Sequence, residues 1–288
     1  MKVCAECIPC YLKQSLNAIN QVELEDSKRV KLIKQILPLI AELDQDKTPA
    51  ENSSLILHKI NNLLDNRDPF QQAKAESNQA VMKLWPKLRE ILDRSEDRLF
   101  TAFKLAVAGN VIDLGIMEDY DIDQSIQEAL QVDFAINHYQ ELQKRLAESE
   151  QILIIGDNSG EIAFDRLLVE ELNKAGVKIV YGVKGQPILN DATIKDAHTV
   201  KMNEIAKVIT NGNSFLGTVI QYCSKEFLEK MAESDIVISK GQANYESLEG
   251  TAEAGEKTFF ILRAKCDVVA ASLGVRFGQI VLKQNETK

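Results

Sequence analysis

A chain of 288 residues, 45% of them hydrophobic and 27% charged, has the composition of a globular protein able to bury a full core. The net charge is −9, with no dense run of lysine and arginine among aromatics, which argues against nucleic-acid binding, since neutralising phosphates needs a positive face. No apolar run approaches the roughly 18 residues of a membrane span, so a membrane partner is not expected.

In chain order, the first half shows helical periodicity, few glycines and almost no β-branched runs. The pattern predicts helices over about 8–21, 26–44, 51–64, 69–93, 96–108 and 121–147. Asp68 and Pro69 read as the N-cap and first helical position of the fourth, which Pro86 interrupts. After Glu150 the character changes. Short apolar runs appear at Ile152–Ile155, Lys178–Val183, Lys207–Thr210, Ile236–Ser239, Thr258–Leu262 and Gln279–Leu282. Helical patterns at Ile162–Ala175, Gly217–Glu233 and Lys265–Leu273 separate several of them. The expectation is an all-helical domain over residues 1–149 and an α/β domain over 150–288, with a parallel sheet covered on both faces. Ligands of such sheets gather outside the carboxyl ends of the strands.

The candidates for chemistry therefore follow the strands. The first run leads into Gly156-Asp157-Asn158-Ser159-Gly160-Glu161. Asp157 and Asn158 offer adjacent oxygens of the kind hard cations favour. Gly160 allows close backbone approach, and the helix start at Glu161 favours an anion. The same residues also read as a tight turn with Asp157 as N-cap. After the second run, Asp191 either completes a carboxylate–amide–carboxylate set or caps the next helix. The loop Thr210–Thr218 lacks a GKT or GKS ending and is not a nucleotide P-loop; it reads as a connecting turn or a backbone phosphate cradle. Lys240, before Gly241, and Lys265 stand at later strand ends, where an ammonium can reach a phosphoryl oxygen. Two lysines facing two acids suggest a clamp for a phosphate ester.

Cys4, Cys7 and Cys10 form C-x-x-C-x-x-C, which reads equally as a ligand set for a second metal or an iron–sulfur cluster and as a thiol stripe on one helix face. The first ten residues lack the charged start and long apolar stretch of a secretory leader, so the expected compartment is the cytoplasm. His58, His138 and His198 are scattered singly, which gives a histidine mechanism little support.

Taken together, these segments resemble the metal-dependent damage-control phosphatase family, also known as domain of unknown function 89 and as acidic-residue-methyltransferase-like. The resemblance covers nearly the whole chain. It runs through the Cys4/Cys7/Cys10 start, which looks like the prokaryotic subgroup, Asp68-Pro69-Phe70, Ala108-Gly109-Asn110 to Asp113, and Gly156 to Glu161. It continues through Asn190-Asp191, Lys240-Gly241 to Asn244-Tyr245-Glu246, and Lys265-Cys266-Asp267. The resemblance implies a helical part packed on a Rossmann-like sheet, and a divalent ion (Mn, Co, Ni or Mg) held by Asp157, Asn158 and Asp191. It implies phosphate binding by Lys265 with Lys240 as partner, and it places Asn110 and Asn244 near the substrate, beside Gly160 and Glu161. The substrates it implies are small phosphorylated metabolites such as sugar phosphates. Arg263-Ala264-Lys265 is one residue shorter than the Arg-Thr-x-Lys of the family's eukaryotic branch.

The expected reaction is metal-assisted hydrolysis of a phosphomonoester. The competing readings are a carboxyl methyltransferase using S-adenosylmethionine, against which the opening strand-turn lacks an open glycine-rich turn, and a non-catalytic metal- or phosphate-binding protein.

Overall fold

The computed structural model describes residues 1–66, 68–109 and 126–286. Seven strands form one sheet in the order β1-β7-β6-β5-β2-β3-β4. They are β1 Ile136–Asn137, β2 Gln151–Ile155, β3 Lys178–Val183, β4 Lys207–Thr210, β5 Ile236–Lys240, β6 Thr258–Arg263 and β7 Ile280–Gln284. All neighbours run parallel except β6 and β7.

The apolar runs are continuous rather than alternating because both sheet faces are covered. Ile152 and Ile154 of β2 and Ile236 and Ile238 of β5 face one cluster. That cluster contains Val81, Phe103 and Phe164 from the helices Gln71–Asp93, Arg98–Ala108 and Glu161–Lys174. Leu153, Ile155 and Val237 point the other way, to Phe227, Leu248 and Val269 on the helices Lys225–Glu233, Gln242–Leu248 and Asp267–Leu273. Ile154 is fully enclosed; truncating such a residue to Ala costs about 2–5 kcal/mol. A third cluster joins the helices Cys7–Asn20, Asp26–Ala41 and Pro49–Leu64, and it closes on Ile188 and Leu216 from loops at the carboxyl ends of β3 and β4. The helical half thus packs in two places: against one sheet face, and over the loops at the strand ends.

Helix boundaries follow local chemistry. Thr48 accepts from Glu51 N at 3.1 Å with Pro49 in the first turn, and Asp97 accepts from Phe100 N at 2.9 Å. The helix expected from residue 69 begins instead at Gln71: Phe70 is its N-cap, Gln71 N closes a turn on Asp68 O at 3.2 Å, and the Asp68 carboxylate caps no helix N–H but pairs with Lys74 Nζ at 2.7 Å. The helix expected over 121–147 is also corrected. Residues 126–131 are helical, Ile136–Asn137 is a strand paired with β7, and a second helix spans Tyr139–Leu146. A two-residue edge strand carries too little pattern to be seen in sequence. The helix expected over Gly217–Glu233 reduces to a 3₁₀ turn at Ile220–Tyr222 and a helix at Lys225–Glu233 capped by Ser224. Among the described residues no helix is long and apolar enough to cross a membrane.

From β2 the chain moves outward to β3 and β4, then returns past β2 to β5 and β6. The crevice between the carboxyl ends of β2 and β5 is therefore the topological switch point, the place where such sheets bind ligands.

Candidate active site

Gly156 directly follows β2, and any Cβ there would lie 2.6 Å from the Tyr181 hydroxyl. Asp157 follows, and its carboxylate rests against Gly241 at the end of β5. A Cβ on Gly241 would lie 1.9 Å from Asp157 Oδ2, and the φ of +83° there favours glycine. Asn158 pairs with Asp191 in an antiparallel β-bridge. Main-chain bonds from Ser159 N to Asn190 O (2.8 Å) and from Ala192 N to Asp157 O (2.9 Å) seam the two loops together.

Asp157 and Asp191 are buried. Burial pushes both carboxyls above the ordinary range; next in effect, the Asp191 charge raises Asp157 further, while Lys184 pulls Asp191 down. Glu161 is likewise raised, first by burial and then by Asp157. The Asn158 Nδ2 donates to Asp157 Oδ2 at 3.1 Å and to Glu161 Oε1 at 2.7 Å, which leaves Oδ1 as its available oxygen. Crowded buried carboxylates with an amide oxygen beside them suit a hard divalent cation, whose charge offsets their repulsion. Among the described residues no group of three or more His, Cys, Asp or Glu side chains is arranged to hold a metal ion. Asp157, Asp191 and the Asn158 oxygen could offer a cation two carboxylates and an amide, and Mg²⁺-like ions commonly leave their other positions to water and substrate.

A cavity of about 590 Å³ opens over this floor, lined by Asp157, Asn158 and Asp191 and, on another wall, by Lys265. Lys265 is exposed, and its backbone N donates to Gln242 Oε1 at 2.8 Å. Its ammonium lies near enough to draw down the pKa values of Asp157 and Glu161.

The family model described as the damage-control phosphatase ARMT1-like domain matches residues 3–281. The chain belongs to that family. An uncharacterized protein of Methanocaldococcus jannaschii is 35% identical over 98% of this chain and 95% of its own length. The damage-control phosphatase PH1575 of Pyrococcus horikoshii is 33% identical over the whole of both chains. The crystal structure of a DUF89 family protein from the same organism superposes with a TM-score of 0.92 at 30% identity, covering 99% of this chain and all of the other.

Within this damage-control phosphatase fold, not every residue singled out in the sequence reaches the cavity. Lys240 is a correction. Its ammonium turns into the core, fully enclosed, where it donates to Asp165 Oδ1 at 2.5 Å and Ala106 O at 2.8 Å and lies 3.8 Å from Glu161 Oε2. Tyr181 completes this network, donating to Asp165 Oδ2 at 2.6 Å. Asn244 is also corrected from substrate contact to scaffold. Its amide donates to Gly156 O and Lys240 O, and its oxygen accepts from Thr218 Oγ1, so its groups are engaged by the protein. Gly160 and Glu161 lie beneath the acid loop, with Gly160 N donating to Asn78 Oδ1 at 2.8 Å. Asn110 and Asp113 lie outside the described residues. Cys4 Sγ and Cys7 Sγ are 3.5 Å apart, while Cys10 Sγ accepts from Gln14 Nε2; Cys7 and Cys10 also line the cavity. Burial pushes the Cys7 thiol up to about 12.

Sequence reasoning passed over Lys184, Lys74 and Asn78. Lys184 lies 3.5 Å from Asp191 Oδ2 and donates to the Gly217 carbonyl. Lys184-Gly185 follows β3 just as Lys240-Gly241 spans the end of β5, so the signal was present. Lys74 and Asn78 belong to a distant helix, and only the tertiary fold brings them here.

Proposed function

We propose that this chain is a metal-dependent phosphatase of small phosphorylated metabolites, working at the floor of the cavity over the switch point. The observation that carries this reading is the shared cavity of Asp157, Asn158, Asp191 and Lys265, in a chain whose full-length relative from Pyrococcus horikoshii is named a damage-control phosphatase. Asp157, Asn158 Oδ1 and Asp191 would hold the cation, with Mn²⁺, Co²⁺, Ni²⁺ or Mg²⁺ as candidates. A divalent ion bound there supplies Lewis-acid polarisation of the phosphoryl group and lowers the pKa of a bound water.

The chain's own residues do the rest. Lys265 offers an ammonium to the equatorial phosphoryl oxygens, where charge gathers in the transition state. Lys184 sits against Asp191, and Lys240 sits against Glu161 and Asp165, so each ammonium offsets part of the cost of burying these carboxylates. The Asn158 amide fixes the Asp157 and Glu161 carboxylates relative to each other.

Phosphate release from an aryl phosphate and from a sugar phosphate, by the wild-type chain and by Asp191→Asn, tests the proposal. Metal-dependent release by the wild type and loss in the variant are expected. Equal release by both, or methyl transfer from S-adenosylmethionine without phosphate release, would contradict it.

A further inference from the structure

We propose that Asn78 is a positioning residue for the metal site: one buried amide from the helical half sets the Asp157–Asn158 loop and the Asp191 loop in register with each other. This rests on the metal reading above. Asn78 lies on the helix Gln71–Asp93, one turn beyond Lys74, and both are buried polar residues on the face turned to the sheet. Its Oδ1 accepts from Gly160 N at 2.8 Å, just past Asn158. Its Nδ2 donates to Asp196 Oδ1 at 2.8 Å. The other oxygen of Asp196 accepts from Thr193 N at 2.9 Å and Thr193 Oγ1 at 2.7 Å, just past Asp191.

The loops already meet through Ser159 N to Asn190 O and Ala192 N to Asp157 O. Those bonds join the loops to each other; Asn78 ties the segment beyond each ligand to one rigid helix. The amide is the group the position requires, because one partner is a donor and the other an ionisable acceptor. Aspartate here would face Asp196 with like charge, and alanine would leave the Gly160 N–H without its partner in a buried place. Groups that orient metal ligands from behind commonly change metal affinity by about 10–100-fold when removed.

The experiment uses the full chain freed of metal, titrated calorimetrically with Mn²⁺, with exchange of the Gly160 amide followed by NMR. Asn78→Asp should weaken Mn²⁺ binding by about 10-fold or more and expose the Gly160 amide to exchange. The double variant Asn78→Asp with Asp196→Asn keeps the total charge and restores the pattern with donor and acceptor exchanged. Its Mn²⁺ affinity and amide protection should return to near the wild-type values, which a merely space-filling role for Asn78 would not produce. Wild-type affinity in the single variant, or a folded double variant that binds no better than the single, would overturn the proposal. Should the single variant not fold, the double variant decides alone: wild-type binding supports the clamp and weak binding overturns it. A wild-type chain that binds no Mn²⁺ would count against the metal reading itself. The clamp is then judged on Gly160 protection, and equal protection in the wild type and Asn78→Asp overturns it.

Discussion

Gly241 and Asp157 are packed so closely that no side chain fits between them: a Cβ on Gly241 would stand 1.9 Å from the Asp157 Oδ2. Gly241→Ala should therefore displace the carboxylate as well as strain a backbone at φ +83°. The strain alone costs about 1–3 kcal/mol. Metal-dependent phosphate release should fall by about 100-fold, on the scale of a lost transition-state contact, together with a lower melting temperature. A stable variant with normal kcat/KM would show that the Asp157 position is not critical.

Two strand-end lysines should behave in opposite ways. Lys265→Ala removes an exposed ammonium at the cavity wall. Its kcat/KM should drop by about 100-fold or more, with stability within about 0.5 kcal/mol of the wild type and Mn²⁺ affinity retained. Steady-state kinetics beside a melting curve checks this; near-normal kinetics would remove Lys265 from the site.

Lys240→Met, by contrast, strands Asp165 in the core without its 2.5 Å partner. Breaking a buried pair by removing one member costs about 3–5 kcal/mol, and replacing both members is much milder. Urea unfolding should show that loss, and adding Asp165→Asn should recover part of it. A variant as stable as the wild type would contradict the buried-network placement.

Glu246, on the cavity wall, is raised from 4.5 to about 7 because burial disfavours its charged form. Between those values the folded chain binds more protons at this group than the unfolded chain does. Its contribution to stability is therefore fully present below about pH 4.5 and declines as pH rises towards 7. Unfolding free energies of Glu246→Gln across that window should lose a fall on the order of 1–3 kcal/mol that the wild type shows. Identical slopes would place Glu246 in contact with water.

The strands of the second half were legible because their apolar runs are long enough to be read and both faces are buried; Asp157 and Asn158 drew attention because they directly follow β2, and the structure brings them beside Asp191 of the loop after β3, on one cavity. Lys240 shows the limit of that rule. The residue sits at a strand terminus as read, but side-chain direction alternates along the strand, and the acid it meets, Asp165, comes from a helix face. Asn78 and Lys74 carry no local mark at all, since an amide and a lysine on an amphipathic helix look solvated until the loops they meet are in place. The strand at Ile136–Asn137 is too short to stand out against the helical text around it.

The measurement that bears most directly on metal-dependent phosphatase chemistry at Asp157, Asn158 and Asp191 is phosphate release from an aryl phosphate after exhaustive chelation and after metal is returned. The expected result is no release in chelator, recovery with Mn²⁺, Co²⁺ or Ni²⁺, and no recovery at any metal concentration for Asp157→Asn. Release that persists in the chelated protein, or recovery in Asp157→Asn equal to the wild type, would contradict it.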